Sequence, residues 1–291
     1  MKHWQLKQRQ SLPLEVKVRL SQQRIREWYE KWEGKVYISF SGGKDSTVLL
    51  HLVRELYPDV PAVFVDTGLE FPEIRDFVKT IDNVVWLKPK MGFKDVIEKY
   101  GYPVASKETA QKISEIRHTH SDKLKNKRSY GDDKGNGKVS EKWKILIDAP
   151  FEVSHKCCAV MKKTPVKKYE HETERKPIVG TMADESSLRA TNYLRNGCNN
   201  FNSTRPMSTP MGFWTEKDVW EYIDTYNVPY SEIYEKGYER TGCMFCMFGV
   251  HLEKGENRFQ RLRKTHPKVH EYCMTKLGIK KVLDYIDVAS E

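Results

Sequence analysis

The chain has 291 residues, of which 31% are charged and 38% hydrophobic, and its formal net charge at pH 7 is +10. This length supports a large core without disulfide staples. No stretch approaches the roughly 20 consecutive apolar residues of a membrane span, and the first ten residues lack the apolar core of a secretory signal. We therefore expect a cytoplasmic protein with no membrane partner. The excess of basic residues favours contact with anions and is equally compatible with a solvated surface.

Apolar periodicity predicts alternating strands and helices in the first third of the chain. Residues 14–33 suit an amphipathic helix in their second half. The strands expected after it are VYISF, AVFVD and VVWLKP, and the helices between them cover residues 46–57 and 71–80. Short strands that alternate with helices are typical of a parallel, twisted sheet of βαβ units, so we expect an α/β fold with helices flanking the sheet.

The rest of the chain is more varied. Residues 118–144 are rich in Gly, Asp, Asn and Lys, which predicts a long basic surface loop. Residues 176–182 predict a buried strand, and residues 215–228 predict a helix capped by Thr215 together with Asp218. A basic, helical stretch is expected at 255–287. We therefore expect an N-terminal helical segment (1–33), an α/β domain (34–230) and a C-terminal region with a CxxC motif and basic helices (231–291).

The segment SGGKDS (41–46) follows the VYISF strand and precedes a helix. Glycines let backbone N–H groups turn toward an anion, and a helix N-terminus supplies partial positive charge. Ser41 and Ser46 can donate hydroxyl groups, and Lys44 adds a point charge. The spacing differs from the Walker pattern GxxxxGKS. The segment therefore predicts a phosphate site, with a plain turn capped by serine as the alternative.

The chain resembles a known family in several segments. SGGKDS is similar to the pyrophosphate (PP) loop of the adenine-nucleotide α-hydrolase superfamily, and VDTGLEFPE, GTMADESSLRA and NVPYSEIYEKGYERTGCMFC resemble segments of its sulfonucleotide (PAPS) reductases. The resemblance covers residues 35–250 and implies a Rossmann-like PP-loop fold. It implies a nucleotide site of Ser41, Gly42, Gly43, Lys44, Asp45, Ser46, Asp66, Thr67, Gly68 and Gly180, with Lys44, Asp45 and Arg189 in catalysis.

The predicted roles of Asp66 and Arg189 are also supported by their positions in the sequence. Asp66 follows an apolar strand, so it is expected at the carboxyl edge of the sheet, where open α/β sheets place ligands. Its alternative role is to form a turn. Arg189 is expected on a short helix and can hold phosphate or sulfate oxygens as a fork, with a surface salt bridge as the alternative.

Four of the six cysteines form two tight pairs, Cys157–Cys158 and Cys243–Cys246. Cytosolic thiols stay reduced, and clustered thiolates select zinc or an iron–sulfur cluster, between which spacing alone does not choose. The segment CCAVMKKTP with a distant CxxC resembles the 4Fe-4S ligand set of adenylyl-sulfate reductases, and Lys162 matches their lysine. The resemblance implies a 4Fe-4S cluster on these cysteines, with zinc or inert thiols as alternatives. Cys198 and Cys273 are expected to be structural.

The chain departs from the reductases in two places. The nucleophilic cysteine of the reductases lies in an ECGLH-like tail, whereas this chain ends DYIDVASE. We therefore expect this chain to lack the thiol that attacks the sulfur of the substrate in that mechanism. Many reductases have lost the lysine and aspartate of the loop, whereas Lys44 and Asp45 are both present here. A triphosphate with Mg²⁺ uses them well, because Lys44 offsets charge on the leaving pyrophosphate and Asp45 helps to hold the metal.

Together these features predict an enzyme that cleaves Mg-ATP at the α-phosphate to drive sulfur transfer, as tRNA thiolases and DNA phosphorothioation enzymes do. Residues 107–144 hold eleven Lys and Arg against six Asp and Glu, and residues 254–281 hold nine against two. These runs would contact a nucleic-acid acceptor, and a cysteine desulfurase is a candidate sulfur donor. The alternatives are a sulfonucleotide reductase that uses another thiol and a non-enzymatic nucleotide- or nucleic-acid-binding module.

Overall fold

Eight short strands form two sheets in the computed structural model of the chain, whose described residues are 1–290. Strands β1 to β8 are Val36–Ser39, Ala62–Val65, Val84–Leu87, Val104–Ala105, Lys176–Val179, Asn199–Asn200, Met207–Ser208 and Met247–Phe248. The larger sheet has the order β3-β2-β1-β5-β7-β6, and its neighbouring strands are parallel except β6 with β7. Strands β4 and β8 form a separate parallel pair. The predicted α/β fold with a mostly parallel sheet is confirmed.

Helices surround these sheets. Helices α1 to α13 are His3–Gln10, Leu14–Lys31, Lys44–Arg54, Pro72–Lys79, Phe93–Tyr100, Lys107–His118, Asp122–Tyr130, Thr164–Thr173, Ser187–Asn196, Glu216–Tyr226, Arg258–Thr265, Pro267–Thr275 and Ile279–Tyr285. Short 3₁₀ helices lie at Glu141–Ile147, Ala183–Glu185, Glu232–Tyr234 and Val250–Leu252, and a π-helical turn lies at Ala159–Lys163. Across residues 1–290, none of the helices has the length and apolar character needed to cross a membrane.

The described chain separates into two compact units, each assembled from several stretches. Unit 1 consists of Met1–Asp66, Phe71–Leu87 and Val166–Thr241, and unit 2 consists of Thr67–Glu70, Lys88–Pro165 and Gly242–Glu291. The six-stranded sheet lies in unit 1 and the two-stranded sheet in unit 2. Because the units interleave along the chain, they do not test the predicted division into three consecutive segments. The last residue of the third predicted segment, Glu291, lies outside the described residues.

The core of unit 1 shows the burial that is typical of a parallel sheet. Strand β1 is buried along most of its length, and Ile38 and Ala62 are fully buried where β1 pairs with β2. Helix α3 buries one apolar face, with Val48 and Leu52 fully inaccessible. Strands covered in this way are apolar throughout, which is the pattern of parallel sheets.

The predicted loop at 118–144 is wrong in one respect, because it contains helix α7. The Ser121 hydroxyl accepts a hydrogen bond from the Leu124 N–H at 3.3 Å and caps the helix. Asp122 in the first turn and Lys127 and Arg128 in the last turn suit the helix dipole. No residue of α7 is buried, so the sequence offers no apolar period from which this helix could have been predicted.

Two other helical predictions have clear outcomes. The predicted cap of α10 is confirmed, because the Thr215 N–H donates to the Asp218 carboxylate at 2.6 Å and the Asp218 N–H donates to the Thr215 hydroxyl. Helix α2 begins at Leu14, earlier than its apolar pattern predicts. The reason is that its first half buries a charged side chain, Lys17, which is 1% exposed.

A buried ion pair holds Lys17 in unit 1. Lys17 Nζ lies 2.7 and 2.6 Å from the two carboxylate oxygens of Asp218, and it donates to the Gln10 carbonyl at 2.6 Å. Both charged side chains are almost inaccessible to solvent. Removing one partner of such a pair leaves an uncompensated buried charge.

Lys17→Met should therefore lower the free energy of unfolding by about 3–5 kcal/mol, because the Asp218 carboxylate stays buried without its cation. The matched control is Lys35→Met, which breaks the exposed pair with Glu174 and should leave the urea midpoint unchanged within error. Urea unfolding followed by circular dichroism measures both variants. Equal losses in the two variants would contradict a special role for the buried pair.

Candidate nucleotide and cysteine sites

The SGGKDS loop lies where the six-stranded sheet reverses its winding. From β1 the chain proceeds outward through β2 and β3, whereas β5 pairs with the opposite edge of β1. Open α/β sheets bind ligands beyond the carboxyl ends of the strands at such a switch point. The loop follows β1 and Gly180 follows β5, so both lie at this position in unit 1.

Two glycines allow the backbone of the loop to be packed closely. Gly42 has a φ of +73°, and a Cβ there would lie 2.8 Å from methyl groups of Ile74 and Val78. At Gly180 a Cβ would lie 2.9 Å from the carbonyl oxygen of Asp45. These positions therefore require glycine for steric reasons, and Gly180 brings the end of β5 against the first turn of α3.

The two serines shape the loop from within. The Ser46 hydroxyl accepts from the Ser41 N–H at 3.1 Å and donates to the Gly43 carbonyl at 2.8 Å. Gly43 is the residue that precedes α3, so these bonds close the loop onto the helix N-terminus. The serines thus act on the backbone that would face a phosphate group.

Lys44 is buried and surrounded by unit 1 groups. Its Nζ lies 3.0 Å from Glu216 Oε1 and 3.2 Å from the Glu239 carbonyl oxygen. It also faces the rings of Trp220 and Tyr234, at 6.0 and 5.6 Å from their centroids. The backbone N–H of Lys44 donates to the Tyr234 hydroxyl at 2.7 Å. The groups that a phosphate would use on Lys44 are therefore engaged by other residues of unit 1.

Asp45 is the other charged residue of the loop. Burial raises the pKa of the Asp45 carboxyl, and the nearby Glu216 raises it further. The positive charges of Lys44, Arg189 and Arg240 lower it. Within residues 1–290, its buried Oδ1 atom has no hydrogen-bond partner. A buried carboxylate oxygen without a donor is suited to a cation or to a hydrogen-bond donor of a ligand.

Arg189 and Asp66 both form ion pairs in unit 1. Arg189 pairs with Glu185, four residues earlier, in an ion pair of the kind given as its alternative role. Burial lowers the pKa of Arg189, and Arg240 lowers it further while Asp45 raises it. Asp66 is 7% exposed, and its Oδ2 lies 3.0 Å from Arg75 Nη2. Neither pairing tests the predicted catalytic or nucleotide-binding roles.

The remaining nucleotide-binding candidates, Thr67 and Gly68, belong to unit 2. The Thr67 N–H and hydroxyl both donate to the Glu70 carboxylate, at 2.9 and 2.8 Å. Lys162 Nζ lies 3.2 Å from Glu70 Oε1. Gly68 has a φ of +73°, with open space where a Cβ would lie. Glu70 thus links the turn after Asp66 to the lysine that follows the cysteine pair.

All four paired cysteines also lie in unit 2 and influence one another. Burial raises the pKa of Cys157 to about 12, and Cys158, Cys243 and Cys246 add to that rise. Burial likewise raises the pKa of Cys243 to about 11, against the effect of Lys162. Burial alone would lower the pKa of Lys162, but Cys243 and Glu70 raise it, so its ammonium group stays charged.

The donor chemistry of these cysteines fits a thiolate-ligated metal group. Four soft sulfur donors lie in one unit, mostly desolvated and close enough to raise the pKa of Cys157 together. Arg258 donates to the Cys246 carbonyl at 2.9 Å and holds the CxxC turn. Across residues 1–290, however, no three or more His, Cys, Asp or Glu side chains are arranged to hold a metal ion. The cysteines therefore stay a predicted ligand set.

Several residues of these sites were not predicted from the sequence. Glu216, Tyr234 and Arg240 surround the PP loop in unit 1, and Glu70 orients Lys162 in unit 2. One signal was available, since GYERTG (237–242) is a polar, glycine-containing stretch beside the CxxC motif, and such loops often carry function.

Comparisons with known proteins agree with the resemblance read from the motifs. An uncharacterized protein of Methanocaldococcus jannaschii is 30% identical to this chain over 256 residues. The matched residues cover 85% of this chain and 42% of that protein, so the chain spans less than half of this relative. Adenosine 5'-phosphosulfate reductase of Halalkalibacterium halodurans is 24% identical over 245 residues, which cover 84% of this chain and 88% of the relative. A crystal structure of phosphoadenylyl-sulfate reductase from Candida auris covers 84% of this chain and 96% of its own, with 18% identity and a TM-score of 0.46.

The sequence profile described as the phosphoadenosine phosphosulfate reductase domain matches residues 35–248, which is most of the chain. The match includes the PP loop, Gly180 and all four paired cysteines. The chain belongs to the phosphoadenosine phosphosulfate reductase domain family.

Proposed function

We propose that the chain binds Mg-ATP at the loop of residues 41–46 and cleaves it between the α and β phosphates to drive sulfur transfer. The observation that carries this proposal is the buried Oδ1 of Asp45, which accepts no hydrogen bond from residues 1–290 and lies 3.8 Å from Lys44 Nζ at the switch point of the sheet. Asp45 would hold Mg²⁺, directly or through water, and Lys44 would offset charge on the departing pyrophosphate.

The other predicted residues of unit 1 would position the nucleotide. Ser41, Gly42, Gly43 and Ser46 would present backbone N–H groups and hydroxyls to the phosphates, as helix N-termini do. Arg189, together with Arg240, would hold phosphate oxygens near Asp45, since both guanidinium groups act on the pKa of that carboxyl. Asp66, Thr67 and Gly68 stay predicted nucleotide contacts.

The cysteines would serve the sulfur side of the reaction. Cys157, Cys158, Cys243 and Cys246 would hold a 4Fe-4S cluster, which when bound supplies a site for sulfur or electrons. Lys162 would keep positive charge beside these thiolates, because Glu70 fixes its position at 3.2 Å. A nucleic acid is the proposed sulfur acceptor, and a cysteine desulfurase is a candidate donor.

A sulfonucleotide reductase is the second candidate function. It is favoured by the relatives named adenosine 5'-phosphosulfate reductase, which match over most of their length. The two unpaired cysteines are poor candidates for its nucleophile. Cys273 is fully buried with its pKa raised to about 12, and burial also raises the pKa of Cys198.

Asp45→Asn should lower the rate of AMP and pyrophosphate formation by about a hundredfold, because the metal loses its carboxylate ligand. The assay supplies Mg-ATP, tRNA or duplex DNA, and a cysteine desulfurase with cysteine. Asp224→Asn, an exposed change on α10, is the matched control and should retain the wild-type rate.

Three other outcomes of this assay each contradict the proposal. A wild-type protein that forms neither AMP nor pyrophosphate would exclude ATP cleavage. Nucleotide binding that survives Asp45→Asn, with no product from either protein, would favour a binding module. Release of sulfite from adenylyl sulfate with a thiol reductant, and no cleavage of ATP, would favour the reductase.

Glu216→Gln should tighten ATP binding about two- to fivefold, because Lys44 loses the carboxylate that pairs with it and the site loses a negative charge. Isothermal titration calorimetry with Mg-ATP measures the dissociation constant. Glu221→Gln removes an exposed charge from the same helix and should leave that constant unchanged. Weaker binding in Glu216→Gln would indicate that Glu216 contributes to the nucleotide site.

Protein purified anaerobically should contain iron and acid-labile sulfide, and Cys243→Ser should lose most of both, because one of four thiolate ligands is removed. Cys198→Ser is the matched control and should retain them, since Cys198 lies in unit 1. Metal analysis and the visible absorption spectrum provide the readout. Zinc without iron in the wild-type protein would contradict the cluster.

A further inference from the structure

The two compact units differ completely in charge. Unit 1, which carries the PP loop, contains 23 Lys and Arg and 23 Asp and Glu. Unit 2 contains 27 Lys and Arg against 17 Asp and Glu, so the whole formal charge of +10 belongs to unit 2. Charges that only solvate the protein surface would not need to be concentrated on one unit. Positive charge gathered on one unit attracts a polyanion to that unit.

The two basic runs of unit 2 both begin beside the cysteines. Strand β4 pairs with β8, the strand that follows Cys246 directly, and the first basic run begins with Lys107 two residues after β4. Arg258 begins α11 in the second run and donates to the Cys246 carbonyl at 2.9 Å. The runs are more than a hundred residues apart in the sequence, yet both start at the CxxC turn.

Contacts within unit 2 also join the two runs farther along. The Trp143 and His251 rings meet edge to face, 4.6 Å apart, and the Tyr285 hydroxyl donates to the Ile145 carbonyl at 2.9 Å. The end of the first run therefore packs against the segments that flank the second. The basic residues belong to one continuous part of unit 2 rather than to separate tails.

Helix α7 is an exposed part of the first run. None of its residues is buried, and the pair Arg128–Glu115 holds it to α6. The Val139 N–H, in the segment that follows α7, donates to the Arg128 carbonyl. Lys123, Lys125 and the nearby Lys134 are exposed and form no ion pair with residues 1–290. Tyr130, at the end of α7, is 75% exposed. Unpaired lysines beside an exposed aromatic ring suit phosphates and bases.

We propose that unit 2 binds the sugar–phosphate backbone of a nucleic acid, with α7 as its outer contact and the CxxC turn at the origin of both basic runs. Only the identification of that nucleic acid as the sulfur acceptor rests on the proposed function. The binding itself follows from charge and exposure. It places the acceptor on the same unit as the four paired cysteines.

The test uses the full chain without ATP, so that it is independent of nucleotide cleavage. Fluorescence anisotropy measures binding of a labelled 20-base-pair DNA duplex and of labelled tRNA over a range of salt concentrations. The triple variant Lys123→Gln/Lys125→Gln/Lys134→Gln should bind at least tenfold more weakly at 0.1 M salt. Its salt slope on the duplex should be smaller by about 2–3, because each lost phosphate contact removes about one.

The matched control is Lys7→Gln/Lys31→Gln/Lys217→Gln, which removes the same charge from exposed positions of unit 1. It should keep wild-type affinity and slope, whereas equal weakening in both triple variants would overturn the proposal. Absence of wild-type binding at 50 mM salt would also overturn it. The proposal would also be overturned if the wild-type protein bound phosphatidylglycerol vesicles and the first triple variant lost that binding to the same extent. That result would assign the surface to lipid. Tighter binding of tRNA or of the duplex identifies the kind of nucleic acid.

Discussion

The close approach between the end of β5 and the first turn of α3 constrains the rest of unit 1. At Gly180 a side chain would meet the carbonyl of Asp45, so backbone packs on backbone where the sheet reverses its winding. Gly42 imposes a similar limit on the side of the loop that packs against α4. A phosphate site made largely from main-chain N–H groups depends on such packing, because the position of the backbone decides where those groups point.

The two units are suited to anions in different ways. Unit 1 has no net charge, and its suitability for a nucleotide lies in local arrangement: a helix N-terminus, Lys44, and the guanidinium groups of Arg189 and Arg240. Glu216 balances Lys44, so a triphosphate would have to compete with a carboxylate for that ammonium group. Unit 2 holds the net positive charge over a wide surface, which suits a long polyanion bound with little regard to sequence.

The parts of the fold that could be predicted from the sequence are those in which apolar residues recur with a regular period. Strands β1, β2 and β5 and helices α3, α4 and α10 were predicted because their buried faces are apolar. Strand β3 was predicted from its run of apolar residues, all of which are half-buried. Helix α7 was missed because it buries nothing, and the early start of α2 was missed because Lys17 interrupts its buried face. The PP-loop and cysteine motifs were visible as local patterns. Glu216, Arg240 and Glu70 were not, because they approach Lys44, Asp45 and Lys162 only through the tertiary fold.

Glu70 shows how a small charge network prepares the cysteine site. Burial raises the pKa of Cys157 to about 12 and that of Cys243 to about 11, so both thiols are protonated at neutral pH. A thiol must lose its proton to act as a metal ligand, so metal binding at these cysteines would release protons and add negative charge to a desolvated site. Lys162 offers the compensating charge, and Glu70 holds it while also accepting from the Thr67 backbone and hydroxyl. The Glu70 carboxylate is buried whereas the Lys162 side chain is 41% exposed, so solvent screens that ion pair in part. The position of Lys162 is set both by the turn at Thr67, through Glu70, and by its interaction with Cys243.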